Sequence, residues 1–446
     1  MGRYILGAGA TGLAAGSILG WKIFEAEEGP GGICSSYYLT TGLTSRRPTR
    51  APDEEDYRFE LGGGHWMFGE EADALRVISQ HSDLRLYERK SSVYLPARDL
   101  FVPYPIQNHL SYLPPQLADR ALDQLLAGSE GPQTSMSDWL RRTFGSVLCD
   151  LFFAPFHRSY TAGLWEDISP QDFHKSPYDR AMIEKGRHGK IDSAGYNVRF
   201  SYPVGGLGSL FRSVAQDCDV SYMKRVTAID PVKRILKFAD GTDVRYELLI
   251  STIPLNRTVE MAGLNIPERP DPYTSVVVVN IGGTRGKKCP DDHWLYVPES
   301  RSGFFRIGFY SNVERSFLPA SRRSDARCIS MYVEWALRGG EKPSPREVAR
   351  FCTNVVGELR EWNFLDEVDI VDPTWIDVAY TWSHCGSTWR ERAISALRDI
   401  DIHQAGRYGR WQFQGIVDSF SEGLNLGQMF GHDKAAPYRL SPSGLE

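Results

Sequence analysis

An α/β fold in which one parallel sheet is assembled from separate stretches of the chain is predicted for this 446-residue sequence. Three features carry that expectation. Residues 5–12 read Ile-Leu-Gly-Ala-Gly-Ala-Thr-Gly between two apolar runs, the second ending at Glu25. Apolar residues then recur at helical spacing between Leu113 and Arg158. Strand-like runs fill the stretch from Thr274 to Glu334, after a return to β pattern over residues 220–254.

The first of these is a dinucleotide fingerprint. Arg3-Tyr4-Ile5-Leu6 reads as a strand, Leu13, Ala14, Ala15, Ile18 and Leu19 as a helix, and Trp21 to Glu25 as a second strand. In a βαβ unit of this kind Gly7 makes the tight turn and Gly9 lets backbone amides approach a pyrophosphate. Gly12 lets the helix pack close on the sheet. Glu25 is placed to accept from an adenosine ribose, and the helix N-terminus favours phosphate. Gly29-Pro30-Gly31-Gly32 follows, with Ser35 and Ser36 behind it. A second glycine pair just after the ribose acid is typical of FAD-binding flavoproteins, so FAD is the expected cofactor.

Residues 41–57, with Arg46, Arg47, Arg50 and four consecutive acids at 53–56, are expected to form a solvated charged insertion. Leu117, Leu122, Leu125 and Leu126, then Trp139, Leu140 and Phe144, define a small helical domain. Residues 220–254 read as a hairpin followed by a parallel strand, Leu248 to Thr252, of the nucleotide-binding sheet; Val226 is counted with the cofactor contacts. Val276 to Val279, Trp294 to Val297, Phe304 to Ile307 and Ile329 to Val333 predict an antiparallel, substrate-facing sheet. A helix over 346–362 buries Val348, Phe351, Val355 and Leu359. The tail from Gly406 is expected to return to the flavin. The resulting organisation is a discontinuous Rossmann-like FAD-binding domain (1–100, 191–268 and 386–446), a helical domain (101–190) and a sheet domain (269–385).

Composition excludes some classes of function. A charged fraction of 24%, a hydrophobic fraction of 41% and a net charge of −5 offer no bulk positive charge for nucleic acid or an anionic membrane. No apolar run approaches the roughly 18–20 residues that span a bilayer. The first residues are already the first strand, so no secretory leader is expected. Seven cysteines without a CxxC pair predict reduced thiols and a cytoplasmic setting. No metal site is expected, and nothing in the sequence specifies an oligomeric state.

Further motifs resemble a family. Arg58-Phe-Glu-Leu-Gly-Gly-Gly-His-Trp-Met-Phe68, Val102-Pro-Tyr-Pro-Ile-Gln-Asn108, Tyr160-Thr161 with Trp165, Trp294 to Glu299, Phe304 to Asn312 and Gly406-Arg-Tyr-Gly-Arg-Trp411 occur in the order found in UDP-galactopyranose mutase, especially its eukaryotic-type branch. The similarity runs from about residue 3 to about residue 430. It implies a nucleotide-sugar substrate and a reaction that is non-redox overall yet needs reduced flavin, with NAD(P)H as a candidate reductant. Flavin N5 attacks the anomeric carbon, the nucleoside diphosphate departs, and the sugar recloses as a furanose.

The resemblance also implies residue roles. His65, behind Gly62, Gly63 and Gly64, is expected against the flavin, with a structural histidine as the alternative. Arg306 and Arg180 are expected to hold the diphosphate, and Tyr296 and Tyr380 to hydrogen-bond it. Arg306 has an independent argument, because a charge inside the run Phe304-Phe305-Arg306-Ile307 needs a partner. Tyr104 and Gln107 match nucleobase contacts, as do Tyr160 and Trp165 at that end. Arg407 and Ser419 are expected along the flavin. Val313, Trp411-Gln412-Phe413, Val417-Asp418-Ser419 and Ile106 depart from the family pattern. These departures remove substrate contacts while flavin contacts survive, so another sugar nucleotide or a different substrate is implied. Two other readings stay open: an FAD-dependent oxidoreductase of the amine-oxidase type, working by hydride transfer to N5, and a flavin-bearing scaffold without catalysis.

Overall fold

The computed structural model describes residues 2–128, 134–171, 176–189, 191 and 198–431. Strand β1 (Gly2–Leu6) ends where Gly7 takes φ 98°, a left-handed turn open to glycine. The helix Ala10–Leu19 follows and stops at Gly20, whose left-handed φ of 63° lets its N–H reach back to the Gly16 carbonyl. Strand β2 (Lys22–Phe24) then lies parallel to β1. A hairpin of β3 (Ser36–Leu39) and β4 (Tyr57–Glu60) carries the chain away from this unit. Strand β5 (Leu84–Glu88) precedes β6 (Ser91–Leu95) and β7 (Leu100–Pro103).

Helices Pro115–Ala127, Met136–Leu148 and Ala154–Tyr160 form the expected helical layer. Strand β8 (Arg199–Pro203) pairs with β5, and the helix Leu207–Ala215 leads to β9 (Val220–Ser221) beside β2. Strands β10 (Val226–Asp230) and β11 (Ile235–Phe238) form the expected hairpin, and β12 (Asp243–Ser251) continues it antiparallel to β11. The second half of β12 runs parallel to β1, which joins this late stretch to the N-terminal unit.

The antiparallel sheet holds β13 (Tyr273–Arg285), β14 (Trp294–Tyr296), β15 (Arg306–Phe309), β16 (Cys328–Arg338) and β17 (Leu365–Thr381). The helix Pro345–Glu361 covers one face through Phe351, Val355 and Leu359, beginning in a Ser344–Glu347 capping box. Strand β18 (Ile402–Gln404) returns to β12. The helix Ile416–Phe430 then lies on Ala10–Leu19, and a Cβ on Gly423 or Gly427 would come 2.4 Å from the Thr11 carbonyl or 2.7 Å from Ile18.

The nucleotide-binding sheet has the order β10-β11-β12-β1-β2-β9, and the other β17-β13-β16-β15-β14-β6-β7. Strands β6 and β7 therefore leave the N-terminal stretch and extend the antiparallel sheet through β14. Register in that sheet sets Tyr296 opposite Arg306 and Arg306 opposite Glu334, three polar groups in one row on one face.

The segment 41–57 is mostly exposed, in line with the solvated insertion expected, but it is pinned to the body at a few points. Arg47 pairs with the Tyr38 backbone, and the Asp56 carboxylate is fully buried, receiving Arg47 at 2.9 Å and the Ala51 N–H at 2.7 Å. Arg46 donates to Asp372 at 2.9 Å and to Thr374 at 2.7 Å. The physical reason is that its charges find partners on β17 and within the loop itself, so the segment folds back onto the body.

Candidate flavin and substrate site

A continuous cavity of about 1340 Å³ runs from Glu25 to the row on the antiparallel sheet. At the Glu25 end it is made of backbone. Gly9 caps the Ala10–Leu19 helix, and a Cβ added to it would meet no protein atom within 4 Å, so the space in front of the helix N-terminus is open. A Cβ on Gly12 would sit 2.0 Å from the Gly7 carbonyl, which is the close helix–strand approach the fingerprint predicts. The Gly31 N–H donates to the Ala8 carbonyl at 2.8 Å, and Gly32 leans on Gly9. Gly31, Gly32 and Ser35 line the same space.

Glu25 faces this space, buried and held by two backbone donors, Ala8 N–H at 2.7 Å and Glu27 N–H at 2.9 Å. Burial raises its pKa, and those two hydrogen bonds work against the shift. The arrangement fits an ADP moiety: amides for the pyrophosphate, a carboxylate for the ribose.

Farther along stands the glycine loop 62–64. A Cβ on Gly62 would meet His65 at 2.6 Å, and one on Gly64 would meet the Tyr332 hydroxyl at 2.0 Å. The run is glycine because this loop is squeezed between His65 and β16. His65 lines the cavity with Nδ1 3.3 Å from the Gly63 carbonyl. Burial, then the nearby Arg407 and Arg306 cations, hold its pKa down to about 3, so the ring is neutral. Cys34 also lines the cavity, but burial pushes its thiol up to about 12, so it is no thiolate nucleophile at neutral pH.

The distal end is built from side chains. Arg306 donates through Nε to Glu334 at 3.0 Å and through a second nitrogen to the same carboxylate, which is 2% exposed. Burial works against the Arg306 charge, but the Glu334 carboxylate beside it holds it firmly charged. The Tyr380 hydroxyl lies 3.4 Å from both groups. Arg407 donates to the carbonyls of Ala379 and Gln414 and packs over Phe413 at 4.7 Å and Tyr380 at 5.3 Å. Arg89, buried, donates to the Tyr104 carbonyl at 3.0 Å. Tyr104 and Tyr296 pack ring on ring at 4.5 Å, and Tyr160 meets Tyr380 edge-on at 4.8 Å. Phe152, Phe156, Phe305 and Trp294 complete the aromatic wall. Ser419, in the first turn of Ile416–Phe430, borders the cavity and hydrogen-bonds Gln414.

Several expected residues do not reach this cavity. Arg180 begins the helix Arg180–His188 on the surface and pairs with Glu184 at 3.1 Å, so it does not converge with Arg306. Its i,i+4 acid offers a nearer partner than the cavity does. Val226 is packed in the outer core with Phe24 and Phe238, while Tyr222 lines the adenosine end instead. Gln107 is fully buried and donates to the Pro177 carbonyl, and Trp165 is a core residue over which Arg141 lies. Gly63 stands behind Gly64, with its Cβ position facing Glu334.

Glu334 and Arg89 escape a reading of motifs. Glu334 carries a usable signal, since a lone carboxylate inside Ser330-Met-Tyr-Val-Glu-Trp335 needs a buried cation, just as Arg306 needs a buried anion. Arg89 sits in a polar run, Glu88-Arg89-Lys90, that gives none.

This chain belongs to the flavin containing amine oxidoreductase family, whose model matches residues 10–419. With the dinucleotide fingerprint, the flavin of that family is FAD. A crystal structure of reduced UDP-galactopyranose mutase is 23% identical, with a TM-score of 0.81 over 97% of this chain and 94% of that one. A fatty acid isomerase from P. acnes that produces CLA is 14% identical, with a TM-score of 0.57 over 96% and 98%. A putrescine oxidase bound to putrescine is likewise 14% identical, with a TM-score of 0.56 over 96% and 98%. At these identities the likeness is one of fold. No helix among the described residues is long and apolar enough to cross a membrane, and all seven cysteines are free.

Proposed function

We propose that this protein is a flavin-dependent mutase acting on a nucleotide sugar, of the UDP-galactopyranose mutase kind but with altered substrate contacts. The observation that carries this reading is the set of guanidiniums at the distal end. Arg89, Arg306 and Arg407 border the cavity there, and Arg306 is aligned by its ion pair with Glu334. Guanidiniums so placed favour a diphosphate over the protonated amine that an amine oxidase takes. Arg89 and Arg407 then fill the role expected of Arg180.

When bound, reduced FAD supplies an electron-rich nitrogen for attack on the anomeric carbon. Arg306, pre-aligned by Glu334, meets the charge that gathers on the diphosphate as the glycosidic bond breaks. Tyr296 and Tyr380 offer hydroxyls on the same wall. The neutral His65 imidazole places no charge beside the ring. Phe413 and Val313 lack the hydroxyls of the resembled family, so the diphosphate is held chiefly by arginine.

The aromatic wall of Tyr104, Phe152, Phe156, Tyr160 and Phe305 supports a second reading, an FAD oxidoreductase for an uncharged substrate. Anaerobic incubation of dithionite-reduced protein with a panel of sugar nucleotides, followed by cyanoborohydride, separates the two. A covalent flavin–sugar product detected by mass spectrometry is expected. Its absence across the panel, with flavin bleached by an alcohol or amine, would overturn the mutase reading.

A further inference from the structure

The loop 46–49 and Arg212 border the cavity far from the distal row, beside the glycine pair, and the function proposed above makes no use of them. Their place is defined by packing. Gly208 of the Leu207–Ala215 helix lies so close to Ser36 that a Cβ would meet the Ser36 nitrogen at 2.7 Å, and the Gly208 N–H donates to the Ser36 hydroxyl. One turn later, Phe211 stands 3.4 Å from the Cβ position of Gly31. Arg212 is the next residue, and it lines the cavity together with Gly9, Gly31, Gly32 and Ser35.

The cations at this end differ in how they are neutralised. Arg46 is bound to Asp372, and Arg47 to Asp56. Of their neighbours, Arg225 pairs with Glu27 and Lys224 with Asp240. Among the described residues Arg212 has no carboxylate within ion-pairing distance; it donates to the Pro48 carbonyl at 3.0 Å. That carbonyl is itself fixed, because the Arg46–Asp372 and Arg47–Tyr38 pairs anchor the loop before it and Arg50 donates to the Ser316 carbonyl after it. The loop thus aims a guanidinium that carries an uncompensated charge. Meanwhile Glu25, Glu27 and Glu28 line the same end, so a dianionic diphosphate placed there needs a cation nearby.

We infer that Arg212, aimed by the 46–49 loop, clamps the diphosphate of the bound flavin dinucleotide from the side opposite the Ala10–Leu19 helix. The inference rests on the FAD assignment of the cavity and is independent of the reaction at its distal end.

Affinity measurements on the apoprotein test it. FAD is titrated by quenching of flavin fluorescence, and ADP and adenosine are titrated as competitors, with wild type, Arg212→Ala, Arg212→Gln and Arg212→Lys. Both neutral variants should lose at least tenfold affinity for FAD and for ADP, while adenosine, which has no phosphate, changes less than twofold. Arg212→Lys should recover part of the loss, and the salt dependence of ADP binding should become shallower in Arg212→Ala. Unchanged ADP affinity would overturn the clamp, as would equal weakening of ADP and adenosine, which would assign Arg212 to the fold. A wild-type apoprotein that takes up no FAD would sink the cavity assignment, and the clamp with it, and that result is distinguishable from the others.

Discussion

The two ends of the cavity are made of different material. The Glu25 end is mostly backbone: glycines, a helix N-terminus and a carboxylate held by two amides, from residues within 30 positions of one another, joined by Tyr222, Arg212 and the 46–49 loop. The distal end is side chains brought from β14, β15, β16, β17 and the loops before β6 and after β18. The contrast teaches that the cofactor end is shaped by groups every residue possesses, whereas the distal end presents groups that a single substitution alters. Backbone geometry sets one end; side-chain identity sets the other.

The contrast can be broken most forcefully at Arg306. Replacement by Ala should lower turnover of a sugar nucleotide by the reduced protein about 10²–10³-fold, the usual cost of losing one donor to developing charge. Arg306→Lys should recover little, because the fork that engages Glu334 and a diphosphate together is lost. Equal kcat/KM for wild type and Arg306→Ala would end the proposal.

At the other end the expected effects are on folding and cofactor uptake. Gly12→Ala forces a methyl to within 2.0 Å of the Gly7 carbonyl and should cost about 1–3 kcal/mol, seen as a lower Tm. Gly9→Ala, whose methyl meets no protein atom, should leave the apoprotein's Tm nearly unchanged while weakening FAD binding. If both variants lose the same Tm, the open cradle before the helix is not there.

A smaller effect is expected from His65. Its pKa is depressed from 6.5 to about 3, so the folded state keeps it neutral where the unfolded chain is protonated. Its contribution to stability is present in full above pH 6.5 and falls away as pH drops toward 3. Urea midpoints of wild type and His65→Gln should therefore converge over that interval, and the pH profile of turnover should show no histidine ionisation near neutrality. A turnover pKa near 6.5 that His65→Gln abolishes would show an imidazole exposed to protonation. Smallest of all, Arg180→Ala should change turnover less than twofold, since its ion pair with Glu184 is at the surface. A hundredfold loss would return Arg180 to the diphosphate.

Much of this was legible without coordinates, and the failures have physical causes. The fingerprint, its strands and its helix follow from local spacing, as do the helical layer and the antiparallel strands. Arg306 was visible because a charge in an apolar strand advertises a buried partner, though its partner Glu334 lay 28 positions away and could be named only from register. Arg180 failed because a family resemblance does not say which way a helix turns its side chains. Gln107 and Trp165 failed similarly: both are buried, yet on the core side of their segments. The anchoring of the largely exposed segment 41–57 could not be read from the sequence, because the Arg46 partners Asp372 and Thr374 are more than 300 positions distant.

The amino-acid order alone determined the nucleotide grip, since turn, helix start and ribose acid are set by neighbours in the chain and by which residues accept positive φ. Tertiary structure alone decided the electrostatics of the far end. Which guanidiniums share a cavity, and which carboxylate holds one of them, depends on strand pairing across β14, β15 and β16 and on loops folding back from remote positions. Coulombic partnership is a matter of distance in space, and spacing along a chain encodes that distance only within one turn or one hairpin.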